Sequence, residues 1–324
     1  MYTQGHTARF THFYASRDGT SKSGPSGEQN LYDKVVDAAG GGDSTSIQTG
    51  LDSAGDSSTV LVKSGSYTEN INSTNTNVKV VVEPGTTVTG TVTLTGDCNT
   101  WQMGAGGTVT GLITLTGDKC SYLGKNGGAL SGVQIDGASC YFTGGGWGTL
   151  TDGGTTVRGI LMNSVSADSI VTCFSSQTTT GGTGFDAVVI NSSRSVCSIA
   201  KINDSEEEAI DMGAAATDIL VLGVTALESD VNAFNIQSER TRCIGNRMTI
   251  SGGGSAQRGI LMGTSGAGDN SIVGACVIDQ TTGADSIEIN ANTENCVVVG
   301  NRLNGAVDDK SGISTVADNE LTAF

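Results

Sequence analysis

Acidic side chains that could act together as a catalytic pair are concentrated in one stretch of this 324-residue chain. The stretch contains Asp204, Glu206, Glu207, Glu208, Asp211 and Asp230. Cleavage of a glycosidic bond uses two carboxyl groups about 5–9.5 Å apart. Carboxyl groups on adjacent turns of a stacked-strand fold lie about 5 Å apart, so Glu207 or Glu208 with Asp230 is the candidate pair. A solvated acidic turn is the competing interpretation.

Other arrangements of catalytic residues are missing from the sequence. The two histidines, His6 and His12, both precede the repetitive part of the chain. The motif RGILM occurs twice and places Arg158 and Arg258 at equivalent positions, but no acidic triplet accompanies either arginine. The GxSxG nucleophile elbow and the phosphate-binding loop do not occur. These absences favour a non-enzymatic protein, with the carboxylate pair as the enzymatic alternative.

Three aromatic residues recur at nearly constant spacing. Trp101, Tyr122 and Phe142 are separated by almost equal lengths of chain, which predicts one stacked column. Exposed rings in such a column would offer their faces to the apolar faces of sugars and so bind a glycan. Buried rings would be core packing, which is the interpretation we favour.

The elements that position these residues are short repeats. Val88, Val109 and Leu130 are evenly spaced along the chain, as are Gly90, Gly111 and Gly132. Each copy has β-branched runs with period-two alternation, separated by Gly-Asp and Gly-rich turns, which is typical of strands. A unit this small buries its apolar side only by stacking on its neighbours. The sequence therefore predicts an all-β fold, a parallel β-helix of about eleven turns.

Later repeats are longer and carry asparagines at one turn. Asn246 and Asn301 each follow a glycine, and Asn319 lies in the similar segment DNEL. Stacked asparagine side chains hydrogen-bond to one another along a coil. We expect a structural ladder here, in preference to a ligand site.

The N-terminal part differs from the repeats. We expect an arm over residues 1–15, a helix over residues 28–39, and a second short helix capped by Asp43 or Ser44. The division that follows is an N-terminal arm and helical cap at 1–58 and a parallel β-helix at 59–324.

Composition excludes several classes of partner. The net charge is −16 and the pI is near 4.3, which argues against binding to nucleic acid or anionic membranes. The eight cysteines follow the repeat period and form no CxxC, so we expect buried free thiols and neither a metal nor another cofactor. Cys276 aligns with Arg247 and Arg302 and is expected to face outwards.

The entry into the repeats resembles a known superfamily. A strand with DG and SG turns precedes the helix pattern IQxxLDxA and then VLVKSGSYTENI. This order is similar to the start of right-handed parallel β-helices of the pectate-lyase-like superfamily, which includes pectin-degrading enzymes and many phage tailspikes. The resemblance implies the fold and leaves the chemistry open.

Three functions fit these observations. The first is a virion surface spike or fibre that binds a host surface or glycan. The second is a polysaccharide-degrading hydrolase or lyase spike, and the third is a cell-surface adhesin. The N-terminus lacks the apolar segment of a signal peptide, so we expect display on the virion surface without membrane insertion.

Two kinds of partner are expected. The N-terminal arm would attach the chain to other virion proteins. The predicted assembly is a homotrimer, because Leu161 and Leu261 in the two RGILM motifs should point outwards and exposed apolar patches mark interfaces.

Overall fold

The computed structural model describes residues 31–124, 132–144, 149–151, 159–173, 178–180, 186–203, 208–227, 231–250, 257–263, 268–280, 285–291 and 293–321. These residues form a right-handed parallel β-helix, which confirms the predicted fold. The strands are numbered β1 to β35 along the chain, and α1 is the helix Ile47–Asp52. Within the described residues α1 is the single helix, and at six residues it is far too short to cross a membrane.

Two large sheets form the coil, and every neighbouring pair of strands in them is parallel. The 13-stranded sheet consists of β1 (Lys34–Val36), β2 (Thr59–Val62), β5 (Lys79–Val82), β8 (Thr100–Gln102), β11 (Ser121–Leu123), β13 (Tyr141–Gly144), β16 (Ile170–Cys173), β19 (Val196–Ile199), β22 (Leu220–Leu222), β25 (Arg242–Ile244), β28 (Ile272–Gly274), β31 (Val297–Val299) and β34 (Thr315–Ala317). The 11-stranded sheet consists of β4 (Ile71–Ser73), β7 (Val92–Leu94), β10 (Ile113–Leu115), β12 (Val133–Ile135), β15 (Ile160–Met162), β18 (Val188–Ile190), β21 (Ile210–Met212), β24 (Asn232–Ile236), β27 (Arg258–Met262), β30 (Ile287–Ile289) and β33 (Val307–Asp309).

Two smaller sheets form the third side. The 3-stranded sheet consists of β3 (Ser66–Thr68), β6 (Thr87–Thr89) and β9 (Thr108–Val109). The 8-stranded sheet consists of β14 (Thr149–Thr151), β17 (Thr178–Thr180), β20 (Ile202–Asn203), β23 (Thr225–Leu227), β26 (Arg247–Ile250), β29 (Val277–Gln280), β32 (Arg302–Leu303) and β35 (Glu320–Leu321). On this third side of the coil, the early turns form the 3-stranded sheet and the later turns form the 8-stranded sheet.

The interior is filled by apolar columns that follow from period-two alternation. In β10, Ile113 and Leu115 are fully buried while Thr114 faces outwards. The same three positions pair in register with β7 and β12, so one strand pattern is stacked turn upon turn. Each turn therefore covers the apolar side of the next, which a single repeat cannot do alone.

The start of the coil differs from the predicted helical cap in one respect. In the described part of the segment, Lys34–Val36 forms strand β1 and pairs with β2, so the helix predicted over residues 28–39 is wrong. Val35 and Val36 are both buried against the coil, and this packing overrides the helical spacing. The second predicted helix is confirmed as α1, although its N-cap is Ser46 and not Asp43 or Ser44.

Glu69 fixes α1 on the coil. Its carboxylate accepts hydrogen bonds from the Ser46 hydroxyl and from the backbone N–H groups of Ile47 and Gln48, at 2.7, 2.8 and 3.0 Å. An acidic group here satisfies unpaired N–H donors at the helix start. Residues 1–30, which include His6, His12 and the predicted arm, lie outside the described residues.

Candidate functional site

Polar side chains in the second half of the coil are presented by a repeated four-residue motif at the start of strands in the 11-stranded sheet. The motif has an outward residue, a small buried residue, a buried apolar residue and a second outward residue. Its copies are residues 186–189, 208–211, 232–235, 258–261 and 285–288. Two successive buried positions turn both flanking side chains to the same outer face, which strict alternation would not do.

The small residue of the motif is a packing requirement. A Cβ added at Gly259 would lie 2.3 Å from Cγ2 of Ile278 and 2.6 Å from the Ser286 carbonyl oxygen. Ala187, Ala209 and Ala233 occupy the equivalent position in the preceding turns and are completely buried. The motif therefore fixes the position of its two outward side chains, the first and the fourth residue of each copy.

Stacking of the motif brings Asp186 next to Glu208. Val188 pairs with Ile210 in the parallel register, and the two acidic residues lie two positions earlier in each strand. The Glu208 backbone N–H donates to Asp186 Oδ1 at 3.3 Å. The motif therefore places two acidic residues on adjacent turns of the same face.

The pKa of Asp186 is raised far above its ordinary value. Burial, the hydrogen bond with Glu208 and the nearby charges of Glu208 and Asp211 raise the pKa of Asp186 to about 8. An acidic group that keeps its proton at neutral pH is the form that a general acid needs. Perturbation of this kind by burial and a like-charged partner is typical of functional sites.

Amide side chains of the next turn hold the other carboxylates. Asn232 Nδ2 donates to Glu208 Oε1 at 3.1 Å, and Asn235 Nδ2 donates to Asp211 Oδ1 at 3.0 Å. Gln237 Nε2 reaches the same Asp211 oxygen at 3.5 Å. Amide donors are suited to carboxylate oxygens, so these contacts hold the side chains of Glu208 and Asp211 in place on the outer face.

Further along the same face, Glu288 joins two cations. Its carboxylate pairs with the Arg258 guanidinium and, at 2.5 Å, with Lys310 Nζ. Burial opposes the charge of Glu288, but the hydrogen bonds from Lys310 and Arg258 outweigh it and lower the pKa of this carboxyl. Asp308 lies 3.5 Å from the same Lys310 ammonium, so this cluster is an ion-pair network.

The network also contains the described residues that come nearest to a metal site. Oxygens of Asp285, Glu288 and Asp308 lie within 4.8 Å of one another. However, both oxygens of Glu288 already bind a cation from the protein itself, Arg258 on one side and Lys310 on the other. A metal ion would have to displace Lys310, so these three residues do not fit a metal as they stand.

The predicted acidic pair is only partly within the described residues. Glu208 lies on the outer face as expected, whereas Glu207, Asp230 and Arg158 lie outside the described residues. The partner that the structure brings to Glu208 is Asp186, which the sequence reasoning missed. The sequence does contain a feature that could have identified Asp186. When the segment DAVV is aligned with EAID, Asp186 takes the position of Glu208.

The aromatic column is not a sugar platform. Trp101, Tyr122 and Phe142 pair in register and are all completely buried. Tyr122 and Phe142 stack with ring centroids 5.5 Å apart and an interplanar angle of 17°. Their alternation in the 13-stranded sheet points them inwards, so no ring face is available to a glycan and the interpretation as ligand-binding residues is wrong.

The asparagines at the turn after the 13-stranded sheet are buried and linked to their neighbours. Asn246 Oδ1 accepts from the Val224 N–H at 2.8 Å, and Asn301 Oδ1 accepts from the Cys276 N–H at 2.9 Å. Asn301 Nδ2 donates to Asn319 Oδ1 at 2.9 Å. These side chains satisfy buried backbone groups between turns.

Cys276 occupies the ladder position between Asn246 and Asn301. It is 1% exposed, so its predicted outward orientation is wrong. The error is one residue of register: Ile244 pairs with Gly274 and Gly274 with Val299, which aligns Cys276 with the asparagines and not with the arginines. Cys98 is the exposed cysteine, at a turn position with φ of 60°.

Comparisons with known proteins identify the fold. No protein-family model matches the sequence, and no curated protein matches it. Among solved structures, the A-module of the mannuronan C-5 epimerase AlgE6 from Azotobacter vinelandii is similar with a TM-score of 0.56 and 11% identity, over 85% of this chain and 94% of that chain. At this identity the likeness establishes the β-helix alone.

Two further solved structures have lower scores. An alginate lyase from Paenibacillus sp. has a TM-score of 0.49 and 12% identity, over 85% of this chain and 96% of that chain. The surface protein and adhesin PfbA of Streptococcus pneumoniae has a TM-score of 0.46 and 10% identity, over 85% and 92%.

Proposed function

We propose that the protein hydrolyses glycosidic bonds of a polysaccharide bound on the outer face of the 11-stranded sheet. The observation that carries the proposal is the contact of Asp186 with Glu208, together with the raised pKa of Asp186, on a face that also presents Asp211. Asp186 would give its proton to the leaving glycosidic oxygen. Asp211 would take a proton from the attacking water, so that water is added across the broken bond.

The spacing of Asp186 and Asp211 supports this assignment of roles. Asp186 aligns with Glu208, and Asp211 follows Glu208 by three positions, which is about 10 Å of strand. Side chains that lean towards each other over this length approach the separation of about 6.5–9.5 Å that an inverting hydrolase uses to admit a water molecule. Glu208, whose backbone N–H donates to Asp186, is the acidic neighbour that helps to raise the pKa of Asp186.

The charge of the face favours a neutral glycan. Three carboxyl groups surround the proposed point of cleavage, and the cations of the same face, Arg258 and Lys310, are bound to Glu288. Among the described residues of this face, a uronate would therefore meet like charge without a free cation to offset it.

The test is incubation of the full chain with a panel of neutral and uronate-containing polysaccharides, with mannuronan included because the structurally similar epimerase acts on it. We expect new reducing ends from a neutral polymer and no unsaturated sugar. Asp186→Asn and Asp211→Asn should each lower the rate at least about a hundredfold. Asp308→Asn, a carboxyl on the same face four turns away, is the matched control and should keep full activity.

Two results would reject this function. Release of an unsaturated uronate would mean elimination in place of hydrolysis. Unchanged rates in both aspartate variants would mean that the catalytic groups lie in another part of the molecule.

We further propose that this activity belongs to a virion surface spike or fibre, attached to other virion proteins through the N-terminal arm at residues 1–15. All eight cysteines lie in the described residues and all are free thiols. Burial raises the pKa of the Cys197 thiol to about 12, which makes it unreactive. Free thiols in this number are typical of assembly in a reducing compartment, which supports a virion protein over an exported adhesin.

The same proposal includes a homotrimer, with a contact surface that differs from the predicted one. Leu161 and Leu261 do point outwards, but both are half-buried within the chain. The 13-stranded sheet has a more exposed apolar outer face, on which Ile170, Leu222 and Ile244 are 39%, 43% and 36% exposed. Exposed apolar residues on this face, two of them on adjacent turns (Leu222 and Ile244), favour a subunit contact there.

Light scattering tests the trimer. We expect a mass near three times 32.8 kDa and expect Leu222→Glu to reduce it to the monomer mass without loss of strand signal in circular dichroism. Leu261→Glu on the other sheet is the matched control and should leave the trimer intact. A stable wild-type monomer at micromolar concentration would exclude the assembly.

A further inference from the structure

The outer face of the 13-stranded sheet carries almost no charge over its later turns. From β16 to β31 its described outward residues are aliphatic, glycine, serine or threonine, with the exception of Arg242. Arg242 is exposed and lies between Leu220 and Ile272 in the register. Within the described residues it has no ion-pair partner. A contact on this face would bury the guanidinium, and a buried charge is costly unless it is paired, so the contacting surface has to supply a carboxylate.

The two edges of the same sheet differ in their side chains although their backbone conformation is the same. A residue with positive φ stands on each side of the strands β22, β25, β28 and β31. Before these strands the residues are Asp218, Arg240, Asn270 and Asn295. After them the residues are Gly223, Gly245, Ala275 and Gly300, which we call the bare edge. Because the first edge holds polar side chains in this conformation, φ alone does not dictate the bare edge.

Packing within the chain does not explain the glycines of the bare edge either. A Cβ added at Gly223, Gly245 or Gly300 would meet no heavy atom within 4 Å beyond its neighbours in the chain. Turns without side chains allow another backbone to approach closely. The bare edge and the apolar face beside it therefore favour one continuous contact with a second copy of the chain.

Closed threefold packing gives each copy two contact surfaces, one for each neighbour. The 13-stranded sheet is one of them. The 11-stranded sheet carries the proposed cleavage site and has to stay open to a polysaccharide. The second surface is therefore the 8-stranded sheet, and the bare edge between these two sheets is the part of each copy nearest to the threefold axis.

Symmetry then decides which side chains meet. Around an axis at the bare edge, residues at equal distances from that edge face each other across the contact. Arg242 and Asp279 both lie in the outward row farther from the edge, three positions before Gly245 and four positions after Ala275. Asp279 is on the turn after that of Arg242, about 4.8 Å along the coil, which the long arginine side chain can span.

The contacts of Asp279 suit this role. Its Oδ1 accepts a hydrogen bond from Asn304 Nδ2 at 3.2 Å, and none of the described cations pairs with it. The arginines of the same face, Arg247 and Arg302, lie in the row nearer the edge. Arg242 therefore meets the aspartate and not a like charge.

We propose that Arg242 forms an ion pair with Asp279 of the partner subunit, and that this pair sets the register of the trimer around the bare edge. The inference rests on the proposed homotrimer with an open 11-stranded sheet, to which it adds the second contact surface and the position of the axis. Guanidinium–carboxylate pairs in a contact fix its register and the choice of partner.

Light scattering of the full chain over a concentration series tests the pair. Arg242→Glu and Asp279→Arg each place like charges opposite each other, so each should raise the concentration at which half the trimer dissociates by at least about tenfold. The double variant restores opposite charges and should return to the wild-type value. Lys119→Glu and Glu294→Arg make the same changes at exposed positions on the opposite edge of the sheet, and they are the matched controls. Circular dichroism checks the fold, and Arg242→Gln, with a smaller rise, is the second variant if a reversal loses strand signal.

A crosslink tests the position of the axis. In a Cys98→Ser background, which removes the exposed thiol, a short bis-maleimide should join Ala275→Cys chains into covalent dimers on a denaturing gel. Asn270→Cys is the matched control, because it lies on the other side of the same strand with φ of 56° against 53°, and it should stay uncrosslinked.

The outcomes separate this inference from the trimer itself. Single reversals that keep the wild-type mass, or a folded double variant as weak as the single ones, overturn the ion pair and leave the trimer standing. Crosslinking through Asn270→Cys and not through Ala275→Cys places the opposite edge at the axis and overturns it as well. A wild-type monomer would reject the trimer and this inference together, whatever the result for glycan cleavage.

Discussion

The early turns of the coil, in residues 71–144, and the later turns, in residues 159–309, have the same interior and different exteriors. With the exceptions of Ser73 and Asp309 at its two ends, the inward positions of the 11-stranded sheet are Val, Ile, Leu, Met and Phe in both regions. The central outward position reads Asn72, Thr93, Thr114 and Gln134 in the early strands. In the later strands it reads Leu161, Val189, Asp211, Asn235, Leu261, Glu288 and Asp308.

This difference separates what the fold needs from what the site needs. Early turns repeat with a nearly constant period and carry hydroxyl or amide side chains at the central outward position. Later turns vary in length and present charged residues in outward pairs. A stack is stable when its interior is continuous, so the exterior of the later turns was free to acquire ionisable groups.

The largest expected effect tests whether the two interiors are equivalent. Trp101→Ala in an early turn and Phe234→Ala in a later turn should each lower the free energy of unfolding by about 3–5 kcal/mol, because both side chains are completely buried. Leu261→Ala is the exterior control and should cost under about 1 kcal/mol, since its side chain is half-buried on the outer face. Urea unfolding gives all three values. A cost for Phe234→Ala no larger than that for Leu261→Ala would mean that the later turns are held together by something other than the interior columns.

The fold was predictable from the early turns because their spacing is constant. A repeat of constant length fixes the register, and the register fixes which side chains are stacked, as in the column of Trp101, Tyr122 and Phe142. Alternation then decides that this column is buried, although periodicity alone did not distinguish a buried from an exposed one. The first strand was mistaken for a helix because Leu31, Val35 and Ala38 have helical spacing. In the structure Leu31 and Ala38 are exposed, whereas Val35 and Val36 are buried and pair with β2.

The site was less predictable, for reasons that concern single residues. Turns of unequal length hide the register, and an error of one residue moved Cys276 from a buried position to a surface one. The same uncertainty concealed Asp186, because its equivalence to Glu208 depends on aligning the four-residue motif and not the acidic run. The raised pKa of Asp186 depends on burial and on a partner from another turn, neither of which local sequence reports.

A smaller expected effect is the change in the free energy of unfolding with pH, which Asp186 causes in the later turns. The pKa of Asp186 is raised to about 8 in the folded protein by burial and by the hydrogen bond with Glu208, against about 3.9 in an unfolded chain. The folded state therefore binds this proton more tightly, so the stability from Asp186 is fully present below about pH 4 and is lost as the pH rises through 8. Between these values one such group lowers the free energy of unfolding by at most about 1.4 kcal/mol per pH unit.

Asp186→Asn should remove this dependence of the free energy of unfolding on pH. Asp97→Asn, in an exposed turn of the early region, is the matched control and should leave the dependence in place. The measurement is the urea midpoint of the three proteins between pH 5 and 8. A wild-type slope that persists unchanged in Asp186→Asn would assign the titration to another group and leave the two halves of the coil electrostatically alike.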